Sequence, residues 1–153
     1  MASGIDKEKA QAINRELLQL SLLNREIELD RQRLMELEIA ATSASAKITG
    51  LPHASGHSDK VAIAAQIVDL KKMIDDKILR TVKEYARLEN YITQVDDSLI
   101  RQIMTLRHIC GLSWVQVAKR LGGNSDMSIQ MQYWRFLKKQ AHQGQLCKLL
   151  QKL

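Results

Sequence analysis

The chain has 153 residues, a net charge of +6, one proline and only seven glycines. Leu, Ile, Lys, Glu, Gln and Ala abound while aromatics reach only 4%, which predicts an all-α protein without a large globular core. No run of 18 apolar residues occurs and the N-terminus lacks an apolar signal region, so the expected chain is soluble, cytoplasmic and without a membrane partner.

The first element runs from Ile5 to about Lys47, with a helix expected near residues 6–47. Ile13, Leu17, Leu20, Ile27, Leu34 and Ala41 recur at spacings of three, four or seven, close to a heptad seam. Asn24, Arg31 and Glu38 fall at intervening core-type positions. A break follows at 48–58, where Gly50, Pro52 and Gly56 interrupt the pattern; Pro52 cannot sit inside a helix without disrupting it. His53 and His57 are four apart in this break but share no helix and have no third ligand nearby, so a polar loop tip is expected and no metal site.

A second long helix is expected near 59–94, on Ile67, Leu70, Ile74, Ile78, Val82, Tyr85, Leu88, Ile92 and Val95. Two comparable lengths around one break predict a coiled-coil-like antiparallel hairpin over 1–95, with intermolecular pairing as the rival arrangement. The apolar surface left over predicts a homodimer.

Three shorter helices follow, near 97–110, 114–121 and 126–140. Leu99, Ile103, Leu106 and Ile109 mark the first, which ends at Gly111. Ser113 is a good N-cap for the second, because its hydroxyl can accept from the free N–H groups of the first turn. Trp114, Val117, Ala118 and Leu121 share one face of that helix, and Gly122 and Gly123 stop it. Asn124, Ser125 and Asp126 are candidate caps for the third, whose apolar positions are Ile129, Tyr133, Phe136 and Leu137. Such short helices cannot bury their faces separately, so a trihelical helix-turn-helix domain is expected over 96–153. The tail from Ala141 to Leu153 adds leucines expected to cover the core. Cys110 is expected to be a small buried hydrophobe, and with Cys147 it supports neither a disulfide framework nor a zinc site.

Charge is segregated between the two halves. Residues 1–95 hold 14 Lys/Arg and 14 Asp/Glu, whereas residues 96–153 hold 9 Lys/Arg and 3 Asp/Glu. Basic charge that coincides with a helix-turn-helix pattern is the electrostatic footprint of a phosphate-binding domain. Arg101, Arg107, Lys119, Arg120, Arg135, Lys138 and Lys139 lie on its three helices and are the cations assigned to phosphates. No nucleophile with a sequence-evident base, no phosphate-cradling glycine loop and no paired-carboxylate arrangement stands out, so neither an enzyme nor a cofactor is expected.

The stretch LRHICGLSWVQVAKRLG at 106–122, with Ser128, Ile129, Tyr133, Arg135 and the FLKK of 136–139, resembles region 4 of bacterial sigma factors. The resemblance is closer to small phage and prophage proteins carrying a sigma-region-4-like domain. In those families a Gly-Leu-Ser-aromatic start opens the second helix; here it is Gly111, Leu112, Ser113 and Trp114. The resemblance implies a DNA-binding transcription regulator, phage-encoded, that engages double-stranded DNA and contacts RNA polymerase. It places Asp126, Met127, Gln130, Met131 and Arg135 at or near the DNA-facing positions, beside Ser128 and Gln132, with Lys119, Arg120, Lys138 and Lys139 around them. Methionine cannot make the bidentate hydrogen bonds that read a purine edge and offers only apolar contact to thymine methyls, which leaves Gln130 and Gln132 as the hydrogen-bonding readers. The rival reading is a protein-interaction module that keeps this fold without reading DNA. A phage-encoded inhibitor of a host protein or nucleoprotein complex, such as a CRISPR nuclease, would fit it.

Overall fold

The computed structural model describes residues 2–46 and 56–143, and among them every regular element is helical. The α-helices are α1 (Ala2–Leu17), α2 (Gln19–Ala46), α3 (Gly56–Thr93), α4 (Ser98–Met104), α5 (Trp114–Leu121) and α6 (Asp126–His142). A π-helical turn, Thr105–Ile109, prolongs α4. No described helix is long and apolar enough to cross a membrane. Most of the break expected at 48–58, the tail beyond Gln143, His53 and Cys147 lie outside the described residues. The all-α expectation holds, and the helix expected from residue 59 already begins at Gly56. The single long helix expected near 6–47 is interrupted at Leu18 alone, where the bonds Leu18 N–H to Asn14 O and Leu22 N–H to Leu18 O, each 3.0 Å, keep the ladder running.

The chain divides into two compact units, Met1–Leu22 with Val82–Leu153, and Leu23–Thr81. In the second, α2 and α3 pair antiparallel: Ile27, Leu70 and Ile74 form a buried cluster with Leu34, Leu37 and Ile78 packed on it. Lys77 bridges Asp30 at 2.5 Å and Glu26 at 3.4 Å, and Lys71 reaches Glu38 at 3.4 Å. Asn24, Arg31 and Glu38, expected at core-type positions, are exposed; the buried polar residue of the seam is Asp30. Ile27 and Leu34 keep their expected places, and Asp30 and Leu37 take the intervening ones in place of Arg31 and Glu38; Asp30 tolerates burial because Lys77 neutralises it. That hydrogen bond, ahead of the opposing effect of desolvation, raises the Lys77 pKa above its ordinary value.

In the first unit the core gathers around Tyr133. Ala10, Ile13, Leu17 and Leu20 come from the N-terminal segment, Leu88, Ile92 and Val95 from the end of α3, and Ile100, Ile103 and Met104 from α4. Val117 and Ala118 of α5 meet Ile129, Leu137 and Ala141 of α6 in the same cluster. The side chains of Leu17, Ile103, Val117, Ile129 and Leu137 are fully enclosed, and each such burial contributes about 1.5–3 kcal/mol. The core that periodicity confined to 96–153 thus takes in residues from both ends of 1–95. α1 packs closely along α6.

Two positions expected in the α3 seam, Val82 and Tyr85, are exposed instead. The first short helix also presents a different face: Ile100, Ile103, Met104 and His108 are buried, while Leu99, Leu106 and Ile109 only pack against the core from its margin. Beyond Met104 the π turn adds to the shift. Cys110 N–H reaches back five residues to Thr105 O at 2.9 Å, and Leu112 N–H reaches Leu106 O at 3.0 Å, so the helix is locally under-wound and carries His108 inward. Cys110, expected to be buried, is exposed, because the same widening leaves it on the solvent side just before Gly111 (φ +67°) reverses the chain.

Candidate nucleic-acid interface

Local capping sets where α5 and α6 begin. Ser113 Oγ accepts from Gln116 N–H at 3.3 Å while Gln116 Oε1 accepts from Ser113 N–H at 2.8 Å, a reciprocal capping box. Gly122 and Gly123, at φ +71° and +73°, turn the chain after α5 in a conformation that side chains resist. Of the three expected caps for α6, Ser125 is the one used, its Oγ accepting from Ser128 N–H at 3.2 Å.

The inward face of α6 fixes its orientation. Tyr133 is fully buried, with ring centroids 5.1 Å from Trp114 and 5.6 Å from Trp134 and His108. Its hydroxyl donates to Asn14 Oδ1 at 2.8 Å and lies 2.8 Å from His108 Nε2. A hydroxyl has one proton, so with that proton on Asn14 the histidine must donate from Nε2. Nδ1 then carries a lone pair, and it has no hydrogen-bond partner among the described residues. Desolvation, reinforced by the neighbouring Arg107 charge, pushes the His108 pKa down to about 3, so the ring is neutral. Burial likewise raises the Tyr133 hydroxyl, and it pushes Tyr91 up to about 12. Sequence reasoning missed this chain of three polar groups, which is what pins α1 and the π turn to α6.

The outward face of α6 is the candidate surface. Met127, Met131, Arg135 and Lys138 follow one another at spacings of four, four and three on a single exposed stripe, with Lys139 exposed beside it. Met127 is 69% and Met131 57% exposed. Asp126, Ser128, Gln130 and Gln132 flank the stripe half-buried, and Gln132 Nε2 donates to Ser128 Oγ at 3.5 Å. On α5, Lys119 and Arg120 are exposed together with Val115, while Gln116 is held in the capping box. A hollow of about 460 Å³ opens on the α6 stripe, lined by Ser125, Met127, Ser128, Met131, Gln132 and Arg135.

Two of the seven cations expected to meet phosphate are turned to the fold instead. Arg101 donates to the backbone carbonyls of Val95 and Asp96, closing the end of α3. Arg107 donates to Leu112 O at 2.8 Å and lies 5.0 Å above the Trp114 ring. Lys119, Arg120, Arg135, Lys138 and Lys139 remain at the surface. Beyond Asp97 the only acidic residue is Asp126. No group of three or more His, Cys, Asp or Glu side chains placed to hold a metal ion occurs among the described residues.

No protein family, curated protein or solved structure matches the chain.

Proposed function

We propose that this chain is a DNA-binding transcription regulator with a sigma-region-4-like helix-turn-helix formed by α5 and α6, and that it binds rather than catalyses. The observation that carries the reading is the α6 stripe: its buried side is fixed by Ile129, Tyr133 and Leu137, and its free side offers Arg135 and Lys138 to solvent with Lys119 and Arg120 close by in the chain. A helix held by one face and cationic on the other suits the major groove of double-stranded DNA, with the lysines and arginines on flanking phosphates. The sequence resemblance adds contact with RNA polymerase, and the apolar surface of the paired long helices adds a homodimer.

Salt-dependent binding to duplex DNA is the test. Each neutralised phosphate contributes about 0.9 to the slope of log affinity against log salt. If roughly four of the five free cations engage, affinity falls about two orders of magnitude from 50 to 200 mM salt. Lys138→Ala or Arg135→Ala then lowers affinity for all duplexes and reduces the slope by about one. A binding curve indifferent to salt overturns the reading.

The exposed Met127, Met131 and Val115 favour one second reading, a protein-interaction module of the inhibitor kind, because solvent-facing apolar side chains on adjoining helices suit a protein partner. Salt-insensitive behaviour toward DNA would select it.

A further inference from the structure

We propose that Met127 and Met131 read pyrimidine 5-methyl groups, so that the duplex this protein prefers carries thymines where these two side chains meet the major groove. The inference rests on the DNA-binding reading above and adds to it the chemistry by which sequence is chosen.

The two methionines are one helical turn apart, on the first turns of α6, and both are more than half exposed. A thioether offers no donor and only a weak acceptor, so it cannot read a base edge by hydrogen bonding. Of the polar neighbours that might, Gln130 stays available beside them, while three others are engaged within the protein. Gln116 closes the α5 capping box, Gln132 donates to Ser128 Oγ, and Ser125 caps α6.

The hollow is lined by Met127 and Met131 together with Ser125, Ser128, Gln132 and Arg135. It therefore sets two thioether side chains beside a cation. A duplex supplies the counterpart of each in the same arrangement, a methyl group on a base edge and a phosphate at the groove's rim. In the major groove the C5-methyl of thymine is the one apolar group a natural base edge displays. Met side chains are unbranched and polarizable, which suits them to close over a small methyl of variable position.

The probe is a thymine-rich duplex and the same duplex with every thymine replaced by uracil, titrated with the full chain at one salt concentration. Burial of one methyl group predicts roughly fourfold weaker binding to the uracil duplex for each methyl contacted. Replacing cytosine by 5-methylcytosine in a G·C-rich duplex should strengthen binding, since the methionines meet the methyl and not the ring that bears it. In the double variant Met127→Ala, Met131→Ala the thymine-to-uracil ratio should fall to near one. Both side chains face solvent, so unchanged thermal unfolding verifies that the variant is folded. Lys138→Ala should weaken binding to both duplexes and leave the ratio alone.

Salt-sensitive binding with equal affinity for the thymine and uracil duplexes overturns the methyl inference and leaves the DNA reading standing. A ratio that survives in the double methionine variant overturns it too, because the methyl effect would then arise from duplex shape. Absence of any salt-sensitive binding overturns both and gives the α6 stripe to a protein partner.

Discussion

His108 ties the stability of the first unit to pH. Its ring is enclosed, its Nε2 is committed to Tyr133, and its Nδ1 has nothing to donate to if a proton is added. Protonation is therefore disfavoured in the folded chain, whose His108 pKa of about 3 lies below the unfolded value of about 6.5. A depressed pKa of this kind stabilises the fold fully above pH 6.5, and the stabilisation drains away as pH falls from 6.5 toward 3, because the unfolded chain binds the proton first. Urea titrations at pH 7 and pH 5 should differ by about 2 kcal/mol more in the wild type than in His108→Phe, where nothing titrates. Equal differences in the two proteins would show that His108 is protonated without cost. The sequence displayed Tyr133 as an apolar-stripe member and gave no hint of this linkage. Its partners lie 25 and 119 positions away, and no local periodicity can register a contact at that range.

Among the elements, the α5–α6 connection was the most legible. Ser113, Gly122 and Ser125 each carry a local chemistry that acts within three residues, and all three perform the expected task. Gly122 adopts φ +71° and ψ 150°, a region nearly closed to other residues, yet a Cβ there would meet nothing within 4 Å. Gly122→Ala should therefore destabilise by about 1–3 kcal/mol through backbone strain alone. Thermal or urea unfolding measures this, and a neutral result would mean that the turn relaxes freely. The long helices were legible in extent and in their main apolar rows, but not at the intervening positions of α2. Heptad spacing places apolar residues on a stripe without saying which neighbour of that stripe is carried inward, and the Asp30–Lys77 pair decides it for Asp30. The paired arrangement has its own test. Lys71 Nζ lies 3.4 Å from Glu38 Oε1, so a zero-length carbodiimide should join these two residues within one chain. Recovery of that peptide pair solely from covalent dimers would assign the pairing to two chains. The π turn had no readable signature; His108 lies buried in it, and Cys110, expected to be buried, is exposed at its end.

For the whole molecule, the charge asymmetry and the all-helical class could be read from composition, whereas the make-up of the Tyr133 core could not. Ala10, Ile13 and Leu17 are as deeply buried as the residues of α5 and α6 that they adjoin. A chain beginning at residue 23 would leave that part of the core open and Tyr133 without Asn14, and it should lose the cooperative unfolding of the first unit. Intact cooperative unfolding of that shortened chain would contradict the packing described. The same closure sets an order of events during protein synthesis. Asn14 leaves the ribosome 119 residues ahead of Tyr133, a wait of roughly 6–24 s at about 5–20 residues per second. Asp30 meets Lys77 after only 47 residues, so the second unit can pair while the first still lacks α4, α5 and α6. Until α6 emerges, the side of α1 that α6 covers is a nascent surface without that partner, open to holdase chaperones and to neighbouring chains on the same message. Slower elongation beyond codon 82 would lengthen that exposure without altering a single residue of the finished protein.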